Sequence, residues 1–230
     1  MPASETKSGK AGSRGAPEKS KAAILDAALE EFAREGVAGA RTDAIARSAG
    51  VNKALLYYYF KDKDGLYAAV LEQIFAGLLR QLSAVLDRED VDPRQKMLLY
   101  IETHFDYLGR SPLFPRVLQR EFMRTGRNAS TLTSRIVERY ARPLYAKLMK
   151  LLGQGCVTGD FRAGDPAQTL TSILGVIVFY FISITAPQLM GPGDPFSPER
   201  IAARRAAVLD FISAAVLSPQ AAARRKGKLR

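Results

Sequence analysis

The chain has 230 residues, of which 47% are hydrophobic and 25% charged, and its formal net charge is +11. This length and composition exclude collagen, a disulfide-stapled miniprotein and a chain disordered throughout, and they fit one large or two modest globular domains. So basic a chain usually has an anionic partner, and nucleic acid is the first candidate, ahead of membrane surfaces and acidic ligands.

The chain contains a single cysteine, Cys156, and a single histidine, His104. Zinc sites built from several Cys and His ligands are therefore excluded, as is an intramolecular disulfide. We expect neither a metal nor a cofactor, and we interpret Cys156 as structural because no basic residue adjoins it. The N-terminus shows no signal-peptide pattern, so a cytoplasmic location is expected.

The predicted elements are almost all helices. Residues 1–20 and 219–230 are polar and basic, which predicts disordered tails at both ends. Apolar residues recur at helical spacing in between, and one stripe predicts a long helix from about Asp62 to Leu86. Pairs of a capping residue and proline predict four helix starts, at Asp92-Pro93, Ser111-Pro112, Asp165-Pro166 and Ser197-Pro198. We predict an all-α protein with a domain boundary near residue 67.

One segment tests whether the chain meets a membrane. Residues 166–193 hold no charged side chain across 28 positions. A membrane helix needs about 20 predominantly apolar residues, and here Thr, Ser, Gln and Pro bracket a shorter apolar run. We therefore expect a helix buried inside protein, partly against a partner subunit, and no membrane contact.

Residues 42–60 read TDAIARSAGVNKALLYYYF and predict a helix-turn-helix. Thr42 is expected to cap the first helix, Gly50 to form the turn and Asn52 to cap the second helix. The same geometry also occurs as a structural corner between two helices, so the spacing alone leaves both interpretations open.

The chemistry of the second helix suits a DNA major groove in part. Lys53 can donate to guanine, Ala54 and Leu55 can contact a thymine methyl, and Asn52 can bond a base edge if it is not used as a cap. Three side chains are better placed for phosphates: Thr42, Tyr57 and Lys63.

About 50 contiguous residues, AAILDAALEEFAREGVAGARTDAIARSAGVNKALLYYYFKDKDGLYAAVLE, resemble the N-terminal domain of the TetR family of bacterial transcriptional regulators. The resemblance lies in the apolar positions, the A-G-V turn, the L-Y-x-Y-F run and the K-x-K-x-x-L that follows. It implies backbone contacts from Thr42, Tyr57, Tyr58 and Lys63, and base contacts from Lys53, Ala54 and Leu55. Ala54 and Leu55 depart from the residues common at their positions, which leaves the preferred base sequence open.

For residues 68–218 the resemblance implies a helical domain that dimerises and encloses a small-molecule pocket. The helix at about 166–186 and the one after Pro198 are expected to form the dimer interface, with packing inside the chain as the alternative. The face expected on the second helix consists of Ile201, Val208, Ile212 and Ala215. Candidate pocket residues are aromatic or polar and are expected to converge from several helices: Tyr100, His104, Tyr107, Phe122, Tyr140 and Tyr180.

Positive charge concentrates in residues 110–150, which hold ten basic and two acidic side chains for a net +8. Arg116, Arg120 and Arg124 share one helical stripe. A solvated face is one interpretation, and an anionic effector such as an acyl thioester of coenzyme A is the other.

Enzyme motifs are absent, since GQGCVTG does not match a dinucleotide-binding loop and a single histidine offers little for triad chemistry. The prediction is a homodimeric repressor that binds a palindromic operator in double-stranded DNA and leaves it when a small-molecule effector binds. An activator, a ligand-independent regulator and a hydrophobic-ligand carrier are the alternatives.

Overall fold

The protein is described by a computed structural model that covers residues 15–125, 131–183 and 189–219. Within these ranges the regular secondary structure is helical, and one isolated antiparallel bridge joins Phe161 to Leu217. The prediction of an all-α protein is confirmed. The chain divides into two compact units, Met1–Val70 and Leu71–Arg230, at a point close to the predicted boundary near residue 67.

The first unit contains three helices and the start of a fourth. They are α1 (Gly15–Gly39), α2 (Thr42–Ser48), α3 (Lys53–Phe60) and the first turns of α4 (Lys63–Leu86). Residues 15–20, predicted as part of a polar tail, are helical because α1 begins at Gly15. Both predicted tails otherwise fall almost wholly outside the described residues.

The core of the first unit is built from the apolar residues that recur at helical spacing. Ile24 and Phe32 on α1, Ile45 on α2 and Leu56 on α3 are fully buried. Phe32 meets the ring of Tyr67 edge-on at 5.0 Å between centroids, so the start of α4 closes the core of this unit. The small core rigidly holds the angle between α2 and α3.

Helix α4 is long and apolar enough to cross a membrane by length and composition alone. One face of this helix is buried in the protein's own core, through Leu66, Val70, Ile74, Leu78 and Leu82. These positions match the predicted stripe, and a core helix passes the same length and composition test.

The second unit contains the rest of α4 and the longer helices. They are α5 (Pro93–Gly109), α6 (Leu113–Thr125), α7 (Thr131–Ile136), a π-helix π1 (Val137–Ala141), α8 (Arg142–Thr158), α9 (Pro166–Ile182) and α10 (Pro198–Val216). Helix α5 packs against α8, α9 and α10, and so lies at the centre of this unit.

The predicted helix starts follow from local capping chemistry. The side chains of Asp92, Asp165 and Ser197 each accept a hydrogen bond from a backbone N–H in the first turn of α5, α9 and α10, respectively. Helix α6 begins at Leu113, just after the predicted Ser111-Pro112 start, and the Ser111 hydroxyl accepts from the Leu113 N–H at 3.3 Å.

Tyr107 is fixed against α4 inside the second unit. Its hydroxyl donates to the carbonyl oxygen of Ile74 at 2.6 Å. A Cβ atom at Gly77 would lie 2.6 Å from the same hydroxyl oxygen, so the glycine is what allows this approach.

Cys156 is exposed on α8, where its thiol lies 3.7 Å from the carbonyl oxygen of Arg162. Nearby, Phe161 is buried and occupies the space that a side chain at Gly155 would need.

Helices α9 and α10 each bury one face and expose another. Ile173 and Ile177 on α9 and Val208 and Ile212 on α10 are buried within the chain. Val208 and Ile212 were predicted on the dimer face, so the alternative of packing inside the chain is correct for these two residues. The exposed face carries small residues around two phenylalanines, Phe179 at 57% and Phe211 at 61% exposure.

Candidate functional site

The first candidate site is the turn between α2 and α3. Gly50 adopts a φ of 65°, a left-handed conformation that favours glycine, and so reverses the chain after α2. The Asn52 side chain accepts a hydrogen bond from the Ala54 N–H at 2.8 Å, which confirms its predicted capping role. The Asn52 oxygen is therefore used as a helix cap within the protein.

A cross-helix network joins the start of α2 to α3. The predicted cap by Thr42 is wrong, because Arg41 occupies the N-cap position and Thr42 is the first helical residue. The Thr42 hydroxyl instead shares a 3.2 Å hydrogen bond with the Tyr57 hydroxyl. One turn away, the Lys53 ammonium lies 2.7 Å from an Asp43 carboxylate oxygen.

This ion pair shifts the pKa values of both side chains. The hydrogen bond from Lys53 lowers the pKa of the Asp43 carboxyl below its usual value, and the same contact raises the pKa of Lys53. Both side chains are about half exposed, so the pair orients Lys53 with little effect on stability. The ammonium also lies 5.9 Å from the centre of the Tyr57 ring.

A buried acid on α1 holds the start of α2. Glu31 is only 5% exposed and accepts a hydrogen bond from the Arg41 N–H at 3.1 Å, besides its ion pair with Arg34. Sequence reasoning missed this contact because it joins residues that lie in different helices.

The outer surface of α3 is open to solvent. Ala54, Tyr57 and Tyr58 are exposed, and Tyr58 reaches 79% exposure while Leu55 is half-buried. Leu56 and Phe60 face inward, so the exposed residues share the side of α3 away from the core. This is the arrangement that a helix needs in order to enter a major groove.

Lys63 lies at the start of α4 but points back to α1. Its ammonium donates to the carbonyl oxygens of Ala38 at 3.1 Å and Ala40 at 3.3 Å. These bonds satisfy one carbonyl in the last turn of α1 and one just after its end. Two of its donors are thus engaged, and the predicted phosphate contact stays a prediction that rests on the third.

The turn from α3 into α4 is tightly packed. Lys61 has a φ of 63° at the end of α3, and the Asp62 carboxylate accepts from the Gly65 N–H at 2.6 Å. A Cβ atom at Gly65 would lie 2.3 Å from the carbonyl oxygen of Phe60. Only glycine fits at this position without moving backbone atoms.

The second candidate site is a cavity of about 660 Å³ inside the second unit. This volume is in the range of small-molecule sites. Its wall is formed by residues of α4, α5, α6, π1, α8 and α9 and is almost entirely apolar. The residues are Phe75, Leu78, Leu79, His104, Leu108, Leu118, Val137, Tyr140, Ala141, Arg142, Leu144, Tyr145, Leu148, Leu170, Leu174, Gly175, Val178, Phe179 and Ile182.

The π-helix forms one edge of this cavity. Val137, Tyr140 and Ala141 all belong to π1 and all line the wall. A π-turn holds one more residue than an α-turn because its hydrogen bonds run from i to i+5. Such turns are rare overall and often occur at functional sites. Sequence reasoning missed it, although Pro143 lies two residues after π1 and cannot donate a hydrogen bond to the preceding turn.

The structure brings together only part of the predicted pocket. His104 and Tyr140 line the cavity. Tyr107 donates to Ile74, and the Tyr180 hydroxyl donates to the carbonyl oxygen of Pro195, so neither belongs to the wall. The side chain of Phe122 lies outside the described residues. Tyr100 lies behind His104, and the aliphatic wall was not predicted.

The imidazole of His104 is a buried polar group in this wall. It is 3% exposed, and the Tyr100 hydroxyl lies 3.1 Å from its Nδ1 atom. Burial lowers the pKa of His104 to about 4 and raises the pKa of Tyr100 well above its usual range. The imidazole is therefore neutral near pH 7.

Several basic side chains of residues 110–150 form ion pairs with acidic side chains, more than the composition of the segment suggests. Arg135 pairs with Glu72 at 3.2 Å, Lys147 pairs with Asp87, and Arg142 pairs with Glu138 at 2.6 Å. Glu72 and Asp87 come from outside the segment. Arg116 and Arg120 are exposed on α6 and are not part of the cavity wall, while the side chain of Arg124 lies outside the described residues.

Two family models match the chain. Residues 24–70 match the model for bacterial regulatory proteins of the tetR family, and residues 93–212 match the model for a tetracyclin repressor-like C-terminal domain. The first covers the helix-turn-helix, and the second covers most of the helices around the cavity.

Known proteins agree with these matches. The HTH-type transcriptional repressor SCO4008 of Streptomyces coelicolor is 34% identical over 182 residues, which cover 77% of this chain and 87% of that protein. The structure of the putative regulator SCO4942 from Streptomyces coelicolor superposes with a TM-score of 0.65 at 26% identity, covering 84% of this chain and 96% of that one.

The fold also matches FadR from Bacillus subtilis, with a TM-score of 0.65, 21% identity and coverage of 83% and 96% of the two chains. The similarity thus extends over both units. Together with the open face of α3, these matches show that the chain belongs to the TetR family of bacterial transcriptional regulators.

Proposed function

We propose that this protein is a homodimeric transcriptional repressor that leaves a palindromic operator when a small hydrophobic molecule fills the cavity. The observation that carries the proposal is that one chain combines an exposed recognition helix with an apolar cavity of about 660 Å³. The relative SCO4008 is named as a repressor, which favours repression over activation.

The DNA contacts are assigned to residues whose side chains are exposed or can donate hydrogen bonds to DNA. Ala54 and Leu55 lie at the N-terminal end of α3 and can meet base edges or thymine methyls, while Lys53 can donate to guanine after exchanging its bond with Asp43. Tyr57 and Tyr58 reach phosphates. Thr42 orients Tyr57, and Asn52 acts as a cap rather than as a base contact.

The dimer is supported by the exposed faces of α9 and α10. Gly175 and Phe179 on α9, which also line the cavity, and Ala207 and Phe211 on α10 are exposed at helical spacing. Two such faces pair with their symmetry mates in a four-helix bundle, where small residues allow close approach. The two recognition helices of a dimer then reach half-sites about 34 Å apart.

Release requires that the effector bind the conformation that does not fit DNA more tightly than the one that does. Helix α4 links the two functions, because its first turns complete the core around α3 and its later residues Phe75, Leu78 and Leu79 line the cavity. We propose that a bound molecule tilts α4 and so changes the spacing of the two recognition helices.

FadR from Bacillus subtilis was solved in complex with stearoyl-CoA, so the same fold can accept a long acyl chain. This supports a hydrophobic effector for the present chain. The arginine stripe of α6 stays a hypothesis for an anionic effector, and Arg116 and Arg120 do not line the 660 Å³ cavity.

The test is a titration of the full chain against its own promoter region and a random duplex of the same length, at two salt concentrations. We expect preference for one palindrome, loss of that preference in Lys53→Ala, and weaker binding to both duplexes in Tyr58→Ala. Equal affinity for both duplexes, unchanged in the variants, would overturn the sequence-specific repressor.

The dimer is tested separately by sedimentation equilibrium. Phe211→Arg should produce monomers and weaken binding to the palindrome. Val157→Arg is the matched control, because Val157 is 90% exposed on α8, away from the proposed interface, and should leave the dimer intact.

A further inference from the structure

The side chains that line the cavity indicate what charge its ligand can carry. Nearly all of the wall is aliphatic or aromatic carbon, and its polar side chains are few: His104, Tyr140, Arg142 and Tyr145. Arg142 and Tyr145 are 68% and 44% exposed, so they lie at the mouth. His104 and Tyr140 are the buried members of this set.

The cation at the mouth is already paired. The Arg142 guanidinium makes two hydrogen bonds to the Glu138 carboxylate, at 2.7 and 2.6 Å. An anionic ligand could use only the remaining N–H donors of Arg142, at the solvent-exposed mouth, where Glu138 already compensates the guanidinium charge. Deeper in the wall no lining residue is a cation, because burial keeps the pKa of His104 near 4. A carboxylate buried there would be an unpaired charge, which is strongly unfavourable.

The tautomer of His104 follows from the partner of Tyr100. Among the described residues, the Tyr100 hydroxyl has one hydrogen-bond partner, the Nδ1 atom of His104 at 3.1 Å. Tyr100 is fully buried, so its O–H needs an acceptor, and it finds one only if Nδ1 carries no proton. The neutral imidazole then carries its proton on Nε2, which has no hydrogen-bond partner in the described part of the chain.

We propose that the effector is an uncharged lipophilic molecule with one hydrogen-bond acceptor, such as a ketone, ester or lactone carbonyl, that accepts from the Nε2–H of His104. Tyr100 is a positioning residue that fixes the donor tautomer. The proposal rests on the repressor function proposed above, since it names the chemical class of the effector at the same cavity.

The experiment compares three probes with identical alkyl chains: an alkane, the corresponding methyl ketone and the corresponding carboxylate. Binding to the full-length protein is measured by calorimetry at pH 7.5. We expect the ketone to bind about threefold to tenfold more tightly than the alkane, the gain from one buried hydrogen bond. The carboxylate should bind more weakly than both.

Variants then locate the donor. His104→Phe should remove the preference for the ketone while the alkane still binds, whereas His104→Gln keeps an N–H donor and should retain most of the preference. Tyr100→Phe should reduce the preference, because the tautomer is no longer fixed. Tyr140→Phe removes the other buried hydroxyl of the wall, and the preference should survive it. Val157→Ala, outside the cavity wall and 90% exposed on α8, is the control that should preserve the ratio of the two affinities.

Two results would overturn the inference. One is equal binding of ketone and alkane to the wild-type protein. The other is tighter binding of the carboxylate, lost in Arg142→Gln, which would indicate an anionic effector held at the mouth. Thermal unfolding of each variant without ligand shows whether it is folded.

Operator release is measured in parallel with the same probes, so the two proposals can fail independently. If the ketone binds through His104 but DNA stays bound, effector release is wrong and the ligand class stands. If alkane and ketone bind equally and both release DNA, the repressor function stands and the role of His104 is wrong.

Discussion

The side chains proposed to touch DNA come from one short stretch, residues 42–63, whereas the cavity wall is assembled from α4, α5, α6, π1, α8 and α9. The first surface is polar and open, and its cross-helix contacts are exposed. The second is apolar and opens to solvent at a mouth, and in the described part of its wall His104 takes part in a buried hydrogen bond. The proposed DNA-binding site is formed by residues that are close together in sequence, whereas the small-molecule site depends on packing between segments that are distant in sequence.

The largest expected effect on stability comes from replacing a glycine in the first region, and a glycine in the second region provides the comparison. Gly65→Ala would place a Cβ atom 2.3 Å from the Phe60 carbonyl oxygen, so the end of α3 must shift. We expect a loss of about 2–4 kcal/mol in unfolding free energy and weak DNA binding, measured by denaturant unfolding and gel shift.

Gly153→Ala is the matched control for this variant. No atom lies within 4 Å of a Cβ at Gly153, in the middle of α8. Removing a helical glycine there should raise stability by up to about 1 kcal/mol. Equal effects of the two substitutions would contradict the packing described at the start of α4.

The second prediction concerns pH and the cavity. The pKa of His104 is about 4 in the folded protein and near 6.5 in an unfolded chain, so the unfolded state binds the proton more readily. Stability is therefore fully present above pH 6.5 and falls as the pH drops toward 4, by up to about 3 kcal/mol. His104→Gln should remove this component from the pH profile of the unfolding free energy.

A direct measurement is available because His104 is the chain's single histidine. Its imidazole proton resonances should show no titration between pH 8 and 5.5. A midpoint near 6.5 would mean that the cavity is open to water, and it would remove the reason for excluding charged ligands.

The third prediction compares two helix caps. Asn52→Ala and Asp165→Ala each remove a side-chain acceptor from the first turn of a helix, α3 or α9, and each should cost about 1 kcal/mol in stability. Only Asn52→Ala should weaken operator binding at temperatures where both variants are folded. Weakened binding in both variants would show that the two regions are coupled more tightly than proposed.

The smallest effect on stability is expected at Asp43. Asp43→Asn removes the partner of Lys53, and because both side chains are exposed the melting temperature should change by less than about 2 °C. The relative affinity for single-base operator variants should change, since Lys53 loses its orientation. An unchanged base preference would mean that Lys53 contacts only phosphates.

The sequence predicted the parts of the fold that depend on neighbours along the chain. Asn52, Asp92, Asp165 and Ser197 cap helices as expected, because a cap joins residues two or three positions apart. Thr42 was misassigned, since the contact that defines its role comes from Tyr57 on another helix.

The cavity was predictable only in outline. His104 and Tyr140 line the cavity, whereas Tyr107 and Tyr180 turn to backbone carbonyls of Ile74 and Pro195. Which aromatic side chains converge depends on how the helices cross, and one sequence gives no measure of that angle. The ion pairs of Arg135 and Lys147 with Glu72 and Asp87 were missed for the same reason.

The π-helix sets the rotational phase between α7 and α8. Each residue of an α-helix turns the chain by about 100°, so deleting one residue within Val137–Ala141 would restore an unbroken α-helix and rotate α7 by that angle relative to α8. Ile136 would leave the core, Arg135 would move away from Glu72, and the wall between α6 and α8 would change shape. The size of the cavity is therefore set by chain length as well as by side chains, and a one-residue deletion can change it without altering any lining chemistry.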